Sequence, residues 1–317
     1  MSLKIAIAGT TAIETPPKGY GGIELLVYGL VRELEKLGHR VTLYAKEGSY
    51  EPNGGLVVCG SESDIAKQLF EDRDSYDIIH DWSHTKLASR LLGRMGYRVF
   101  STPFWTDERG FNPIYPSKAV AYAFGSISPI VYPGIPVEGY ELVEDKEDYY
   151  IYFGRIAPIK GVDRTIFLAR KAGVRLKVVG HVGWGAYDKV YIQYIKSLCR
   201  DGIEWVGEVS HEEKLELLGH AKAMIFTPLW LESYGITVTE SLLLGTPVIV
   251  SGVGGHLEQV IHGVCGYHLT RPDEIYDAIR VVERLDYRKV RERGLYFSSE
   301  RMTRDYLKIY GEKYDLL

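Results

Sequence analysis

The chain has 317 residues, 45% of them apolar and 25% charged, with a formal net charge of −4. These are the proportions of a folded globular protein and exclude intrinsic disorder, collagen and coiled coil. The mildly acidic balance also lacks the positive charge with which nucleic-acid binders neutralise phosphates, so no nucleic-acid partner is expected.

At one domain per roughly 100–200 residues, the length predicts two domains of similar size with a cleft between them. Cys59, Cys199 and Cys265 stand far apart with no CxxC pair, which predicts buried, reduced thiols and neither a disulfide framework nor a zinc site. The opening MSLKIAIAGTT has no basic n-region or cleavage site, and no later run approaches ~18 uninterrupted apolar residues. A cytoplasmic protein without a transmembrane segment is the expectation. Up to residue 145 there are 14 basic and 19 acidic residues, and beyond it 24 and 23. The first half therefore offers no evident basic surface for an anionic membrane.

In chain order, residues 3–8 are a compact apolar run ending at Gly9, as expected of a strand buried on both faces of a parallel sheet. A loop over residues 9–22 (GTTAIETPPKGYGG) leads to Ile23, Leu26, Val27, Leu30, Leu34 and Leu37. These recur at spacings of three and four, one face of a helix closed by Gly38. Residues 40–44 (RVTLY) read as the next strand and complete a β-α-β unit of the Rossmann type. Strands at 77–79, before a loop at His80, and at 98–101 continue the alternation. Residues 132–148 combine Pro, Gly and an acidic cluster, which places the domain boundary there, taken between residues 140 and 141.

The same grammar then returns. Residues 149–153 (YYIYF) are a strand, 154–161 (GRIAPIKG) a turn-rich loop, 162–171 an amphipathic helix ended near Gly173, and 175–180 (RLKVVG) a strand. Further strands are expected at 223–227 and 246–251. The stretch from 300 to 317 is helical in pattern, and its apolar face (Met302, Tyr306, Ile309, Tyr310) requires a surface to pack on.

Neither β-α-β unit carries GxGxxG, and no GxxxxGK[ST] occurs, so hydride transfer and P-loop hydrolysis lack support. Instead, Arg155 and Lys160 follow the first strand of the second unit, where open α/β sheets bind ligands. Two cations five residues apart can reach both phosphates of a diphosphate, the arginine as a fork and the lysine as a point charge. Taken alone, the pair reads equally as two solvated surface cations. A helix is predicted over 236–244, closed by Gly245, with Glu232, Tyr234 and Gly235 in its entry loop and Glu240 about one turn inside. Backbone N–H groups at such a start face an anion, and the carboxylates flank it. A capping Glu232 and a salt-bridged Glu240 are the alternatives. The nearest approach to a metal-ligand cluster, EDRD at 71–74, reads as a solvated turn, so no metal is expected.

FGRIAPIKG, the Glu232–Glu240 pair with seven residues between, and GVGGHLE at 252–258 together resemble the retaining glycosyltransferases of family four. GYGGIE at 19–24 is similar to that family's N-terminal Gly-rich loop, and VYPGIP at 131–136 to its interdomain connection. The resemblance covers nearly the whole chain. It implies an α/β GT-B fold, two Rossmann-like β/α/β domains facing across a cleft. Residues 1–140 would be the acceptor side, with the final helix, about 300–317, packed back onto it, and residues 141–299 the donor side.

The activity implied is metal-independent transfer of a hexosyl group from a UDP- or GDP-linked sugar to an unidentified hydroxyl acceptor. The nucleotide-sugar is a co-substrate, and no cofactor is expected. Retention would proceed without a protein nucleophile, with charge on the leaving diphosphate met by Arg155, Lys160 and a helix start. Position by position, the resemblance puts Arg155, Lys160, Gly21 and Gly22 on the diphosphate. Glu232, Tyr234, Gly235, Ile236 and Glu240 fall on the donor sugar and ribose, and Val206, Gly207 and Val209 beside the base. On that resemblance Glu232 would be the catalytic carboxylate through its hold on the sugar.

Where relatives often have His-x-His, this chain has His80 and Trp82. His80 and His84 are the candidate catalytic histidines, and Trp82 is an alternative aromatic platform for a sugar. Phe104, Trp105, Thr106 and Arg109 either line the acceptor site or pack. The rival readings are a GT-B sugar-nucleotide epimerase or phosphorylase, and a two-domain sugar- or nucleotide-binding protein without chemistry. Peripheral membrane contact through a lipid-linked acceptor stays open on this reading.

Overall fold

A computed structural model describes residues 2–104, 109–182 and 186–314. The chain separates into two compact units, Met1–Pro136 with Phe297–Leu317, and Val137–Tyr296. Among the described residues, no helix is long and apolar enough to cross a membrane.

The first unit runs β1 (Lys4–Ala8), α1 (Gly22–Lys36), β2 (Arg40–Ala45), β3 (Leu56–Val58), α2 (Glu62–Asp72), β4 (Ile78–Asp81), α3 (Leu87–Arg94), β5 (Val99–Ser101) and α4 (Lys118–Ala123). Its strands pair in parallel in the order β3-β2-β1-β4-β5. Central β1 buries Ile5, Ala6, Ile7 and Ala8 completely, as a strand covered on both faces must. Helix α1 turns Leu26, Val27, Leu30 and Leu34 inward, and Gly38 ends it with a φ of 82°.

Strand β4 runs two residues further than its apolar run predicts, so His80 and Asp81 lie inside the sheet and not in a loop. Hydrogen bonding explains how a carboxylate is tolerated there. Asp81 Oδ1 accepts from the Ser83 amide at 3.0 Å and the Ser83 hydroxyl at 2.6 Å, and Oδ2 from the Ser89 amide at 2.9 Å. A buried polar group so satisfied can form part of a strand.

The second unit runs β6 (Tyr150–Phe153), α5 (Val162–Ala172), β7 (Leu176–Val179), α6 (Ala186–Leu198), β8 (Ile203–Gly207), α7 (His211–His220), β9 (Met224–Phe226), β10 (Leu231–Glu232), α8 (Ile236–Leu243), β11 (Val248–Val250), β12 (Val253–Gly254), α9 (His256–Gln259), β13 (Gly266–His268), α10 (Ile275–Val282) and α11 (Tyr287–Leu295). The main sheet has the order β13-β11-β9-β6-β7-β8, and β10 pairs with β12. Its core includes Tyr152, Ile166, Val178, Ile195, Ile225 and Ile249. From β6 the chain moves outward through β7 and β8, then through β9, β11 and β13 on the other side. The order reverses between β6 and β9, and ligands of open parallel sheets bind outside the carboxyl ends at such a reversal.

Helix α12 (Ser299–Tyr314) returns to the first unit. Backbone bonds tie its entry to that unit, Ile135 N to Phe297 O at 3.1 Å and Ser299 N to Ile135 O at 2.9 Å. Gly134 permits this approach, since a Cβ there would lie 2.0 Å from the Ser298 carbonyl. Met302, Tyr306 and Tyr310 are wholly buried. The Tyr310 hydroxyl is 2.6 Å from His80 Nδ1, His80 Nε2 is 2.9 Å from Thr102 Oγ1, and Thr102 Oγ1 is 3.0 Å from the Tyr306 hydroxyl.

One more polar tie joins α2 to the loop after β4. Glu62 accepts from the His84 ring at 2.8 Å and from the His84 and Thr85 amides, each at 2.8 Å. Burial alone would raise this carboxyl, but the bonds from His84 and Thr85 outweigh it and hold Glu62 at about 2.

Two predictions test this framework. Tyr310→Phe leaves a buried imidazole nitrogen without its partner, which costs about 1–3 kcal/mol of stability. Urea unfolding reads this directly, and parental stability would show that the His80 chain does not hold α12. A carboxyl more readily ionised in the folded state stabilises above its unfolded value and forfeits that as pH falls through the folded one. Glu62 should therefore supply up to about 3 kcal/mol at neutral pH, lost as pH falls from 4.5 towards about 2. Glu62→Gln should flatten that part of the stability profile, and an identical acid limb would refute the assignment.

Candidate active site

Three loops at the carboxyl ends of the second sheet are laced together by backbone. Ile156 N donates to His181 O at 2.9 Å, joining the loops after β6 and β7, and Leu229 N donates to Ile159 O at 2.9 Å, joining those after β6 and β9. Gly161, with a φ of 65°, sits where a Cβ would come 2.2 Å from the Thr227 carbonyl, so only glycine fits both the conformation and the space.

This lacing sets Lys160 against Glu232. Lys160 Nζ is 2.5 Å from Glu232 Oε2, and the side chains are 14% and 9% exposed. Trp230 Nε1 donates to the same oxygen at 3.0 Å, and its ring centroid is 5.1 Å from Lys160 Nζ. On the same loop Arg155 has a buried Nε without a hydrogen-bond partner among the described residues. An unpaired guanidinium N–H is costly to bury, and an anion supplies the acceptor it lacks.

Glu232 is held from behind by the GVGGHLE segment. It pairs with Gly254 across β10 and β12, its carbonyl accepts from Gly255 N at 2.8 Å, and a Cβ on Gly254 would lie 2.1 Å from that carbonyl. His256 is wholly buried, with Nε2 at 2.9 Å from the Ser251 carbonyl. A carbonyl only accepts, so Nε2 carries the proton, and burial pushes His256 below its ordinary range and keeps it neutral. Tyr234 is buried and its carbonyl accepts from Gln259 Nε2 at 2.5 Å. Gly235, with a φ of 92°, precedes Ile236 at the start of α8 and brings no side chain to cap it, while the Val238 amide already donates to the Gly235 carbonyl at 3.0 Å, so among the described residues the Ile236 and Thr237 N–H groups are the ones open to a ligand.

Glu240 lies one turn inside α8. Its Oε1 accepts from Lys214 Nζ at 2.6 Å and from the Tyr140 hydroxyl at 2.7 Å. Burial, together with the Glu240 carboxylate, pushes the Tyr140 phenol well above its ordinary value. Glu240 is thus salt-bridged, and Glu232 is an ion-paired strand residue rather than a helix cap. Val206 and Gly207 end β8, with Val209 just beyond. Gly180 N donates to Gly207 O at 2.8 Å, which brings this end to the loop after β7.

In the first unit two expectations are corrected. His80 is wholly buried with both ring nitrogens engaged, and burial pushes it well below its ordinary range. It is a neutral packing residue with no nitrogen to offer a substrate. Trp82 is also wholly buried, its ring 5.2 Å from His80, 5.8 Å from Phe104 and 5.7 Å from Tyr306, so it offers no platform for a sugar. His84 is 41% exposed and paired with Glu62. Arg109 is exposed, donates to the Phe124 carbonyl at 3.1 Å and lies over the Phe124 ring. Trp105 and Thr106 lie outside the described residues.

Gly21 is boxed in, since a Cβ would meet Ile13 at 2.5 Å and Pro17 at 2.6 Å, and Gly22 opens α1. The first turn of that helix already holds a carboxylate, because buried Glu24 accepts from the Thr10 hydroxyl. Glu24, Trp230, Lys214 and Tyr140 were not singled out from the sequence. Trp230, two residues before Glu232, was the one within reach of a local reading.

Residues 140–294 match the family of glycosyl transferases group 1. Glycogen synthases of Mycobacterium tuberculosis are 29% identical over 161 residues, which is 49% of this chain and only 38% of their own length. The glycosyltransferase AviGT4, involved in avilamycin A biosynthesis, has a solved structure that is 26% identical with a TM-score of 0.80, covering 98% of each chain. The Anabaena protein Alr3699/HepE, solved with UDP-glucose, is 16% identical with a TM-score of 0.72 over 98% of this chain and all of its own, a likeness of fold. The chain has the GT-B fold, and its residues 140–294 match the glycosyl transferases group 1 family.

Proposed function

We propose that the protein is a retaining, metal-independent glycosyltransferase that moves a hexosyl group from a UDP- or GDP-linked sugar to a hydroxyl acceptor. The observation that carries this reading is the loop after β6. There Lys160 is aimed at Glu232 and Arg155 keeps a buried Nε without an acceptor among the described residues. As a glycosidic bond to a diphosphate breaks, negative charge grows on the phosphates, and fixed positive groups stabilise it without reorganisation. Arg155, Lys160 and the uncapped start of α8 supply that charge.

Glu232 would accept from hydroxyls of the donor sugar, assisted by backbone groups of Tyr234, Gly235 and Ile236. Glu240 would take the ribose, and Val206, Gly207 and Val209 would border the base. His84 remains the candidate histidine on the acceptor side, and His80 is withdrawn. Alr3699/HepE has been solved with UDP-glucose and with UDP and glucose, which supports a UDP-linked hexose as the donor to test first.

Calorimetric titration with UDP and GDP should show binding of one of them, and no binding of either at millimolar concentration would sink the proposal. Lys160→Ala should weaken that binding by roughly 1.5–3 kcal/mol, and unchanged affinity would remove the lysine from the phosphate site. Glu232→Ala should behave differently, because it frees Lys160 from its ion pair. Nucleotide affinity should hold or rise while donor turnover falls roughly 10²-fold, the usual cost of a misplaced substrate. Equal losses in both would make Glu232 a structural residue only.

A further inference from the structure

Gln259, the last residue of α9, is wholly buried, and its side-chain amide reaches the loop that enters α8. One end of that amide lies 2.5 Å from the Tyr234 carbonyl and 3.2 Å from the Gly235 carbonyl. Carbonyls only accept, so this end is Nε2, with one proton for each of them. At the other end Oε1 accepts from the Thr239 hydroxyl, 3.0 Å away and one turn inside α8. The backbone of Gln259 is fixed as well. Arg293 of α11 donates from Nε to the Gln259 carbonyl and from a terminal nitrogen to the Glu258 carbonyl, each at 2.8 Å.

These bonds decide where two peptides point. In a trans peptide the C=O and the N–H face opposite ways. Turning the Tyr234 carbonyl towards Gln259 therefore turns the Gly235 N–H away from it. Turning the Gly235 carbonyl inward does the same to the Ile236 N–H, which is one of those open to a ligand. The backbone has little resistance of its own to losing this arrangement. Gly235 has a φ of 92°, and a residue without a Cβ lets the peptides on either side of it rotate at small steric cost. The Val238 amide also donates to the Gly235 carbonyl, but it belongs to the same helix start and can turn with it. Gln259 ties both carbonyls to a different helix. An apolar side chain of similar size would fill its space and leave the rotation unopposed.

We propose that Gln259 is a positioning residue for donor turnover, holding the two peptides that flank Gly235 so that the Ile236 N–H faces the donor. It acts from behind the site and touches no substrate. The proposal rests on the reading of this helix start as part of the donor site, at the same end of the sheet as Lys160 and Arg155. A donor N–H speeds reaction when it is aimed beforehand at the place where charge develops. A turned peptide therefore lowers the rate of the chemical step, while the nucleotide keeps its contacts with the two cations.

Hydrolysis of UDP-glucose or GDP-mannose by the full chain, whichever the parent turns over, tests this alongside calorimetric titration of the matching nucleotide. Gln259→Leu should lower kcat roughly 10²-fold, with KM and nucleotide affinity within about threefold of the parent. Thr239→Val keeps the shape of its side chain and removes only the hydroxyl that steadies Oε1. It should lower kcat by roughly tenfold at unchanged KM. Circular dichroism and thermal unfolding identify the folded variants, and Thr239→Val decides the outcome if Gln259→Leu does not fold. Parental kcat in a folded variant, or a loss carried by KM alone, would make Gln259 a packing residue and overturn the proposal while leaving the donor site intact. A parent chain that binds neither UDP nor GDP is a distinct result, which overturns the donor-site reading and this proposal with it.

Discussion

The contact between Lys160 and Glu232 is the constraint on which the second unit's arrangement depends. It joins the loop after β6 to the strand after β9, the two segments flanking the reversal of strand order. Taking both charges out of water is expensive, and their attraction offsets that only when further groups hold the geometry. Those groups are present. Trp230 donates to the same oxygen, Gly161 lets one loop lie flush on the other, and Gly254 lets the next strand reach the Glu232 backbone. Such a pair adds little net stability, yet losing either partner strands the other's charge. The glycines are steric conditions for that pairing.

The first unit spends its buried polar groups on holding elements together. His80, Thr102, Tyr306 and Tyr310 form one chain of bonds from β4 to the last helix, and Asp81 satisfies the amides of Ser83 after β4 and Ser89 in α3. Fully satisfied buried networks fix a unique packing. A helix that begins at residue 299 is thereby locked to a strand near residue 80. The histidine that resembles a catalytic residue in sequence is consumed in that lock.

Much of this was legible beforehand, for a physical reason. Apolar periodicity dictated β1, α1 and β2, and again β6, α5 and β7, because strands buried on both faces and amphipathic helices write themselves into local spacing. The loop with Arg155 and Lys160 was legible because glycines and a proline shape it. What stayed hidden depends on partners distant in sequence. His80 reads as a loop residue until Tyr310 is placed 2.6 Å away, and Glu240 shows no sign of Lys214 on another helix. Leu87, Leu91 and Met95 of α3 and its end have the periodicity of an ordinary buried face and are exposed. Only burial of Ala88, Ser89, Leu92 and Gly93 reveals which side faces water.

The charges around α8 are largely paired before any anion arrives. Each glutamate at the start of this helix is already matched by a lysine, Glu232 by Lys160 and Glu240 by Lys214. These two pairs cancel to first order and leave no surplus to attract a diphosphate from a distance. The surplus lies instead in Arg155, with its buried Nε, and in the uncapped N–H groups following Gly235. An anion arriving there would meet the arginine and helix start first and compete with Glu232 for Lys160 second. On the proposed reading, binding of the phosphates and release of the Glu232 carboxylate would be one exchange, because a single ammonium group would serve both anions.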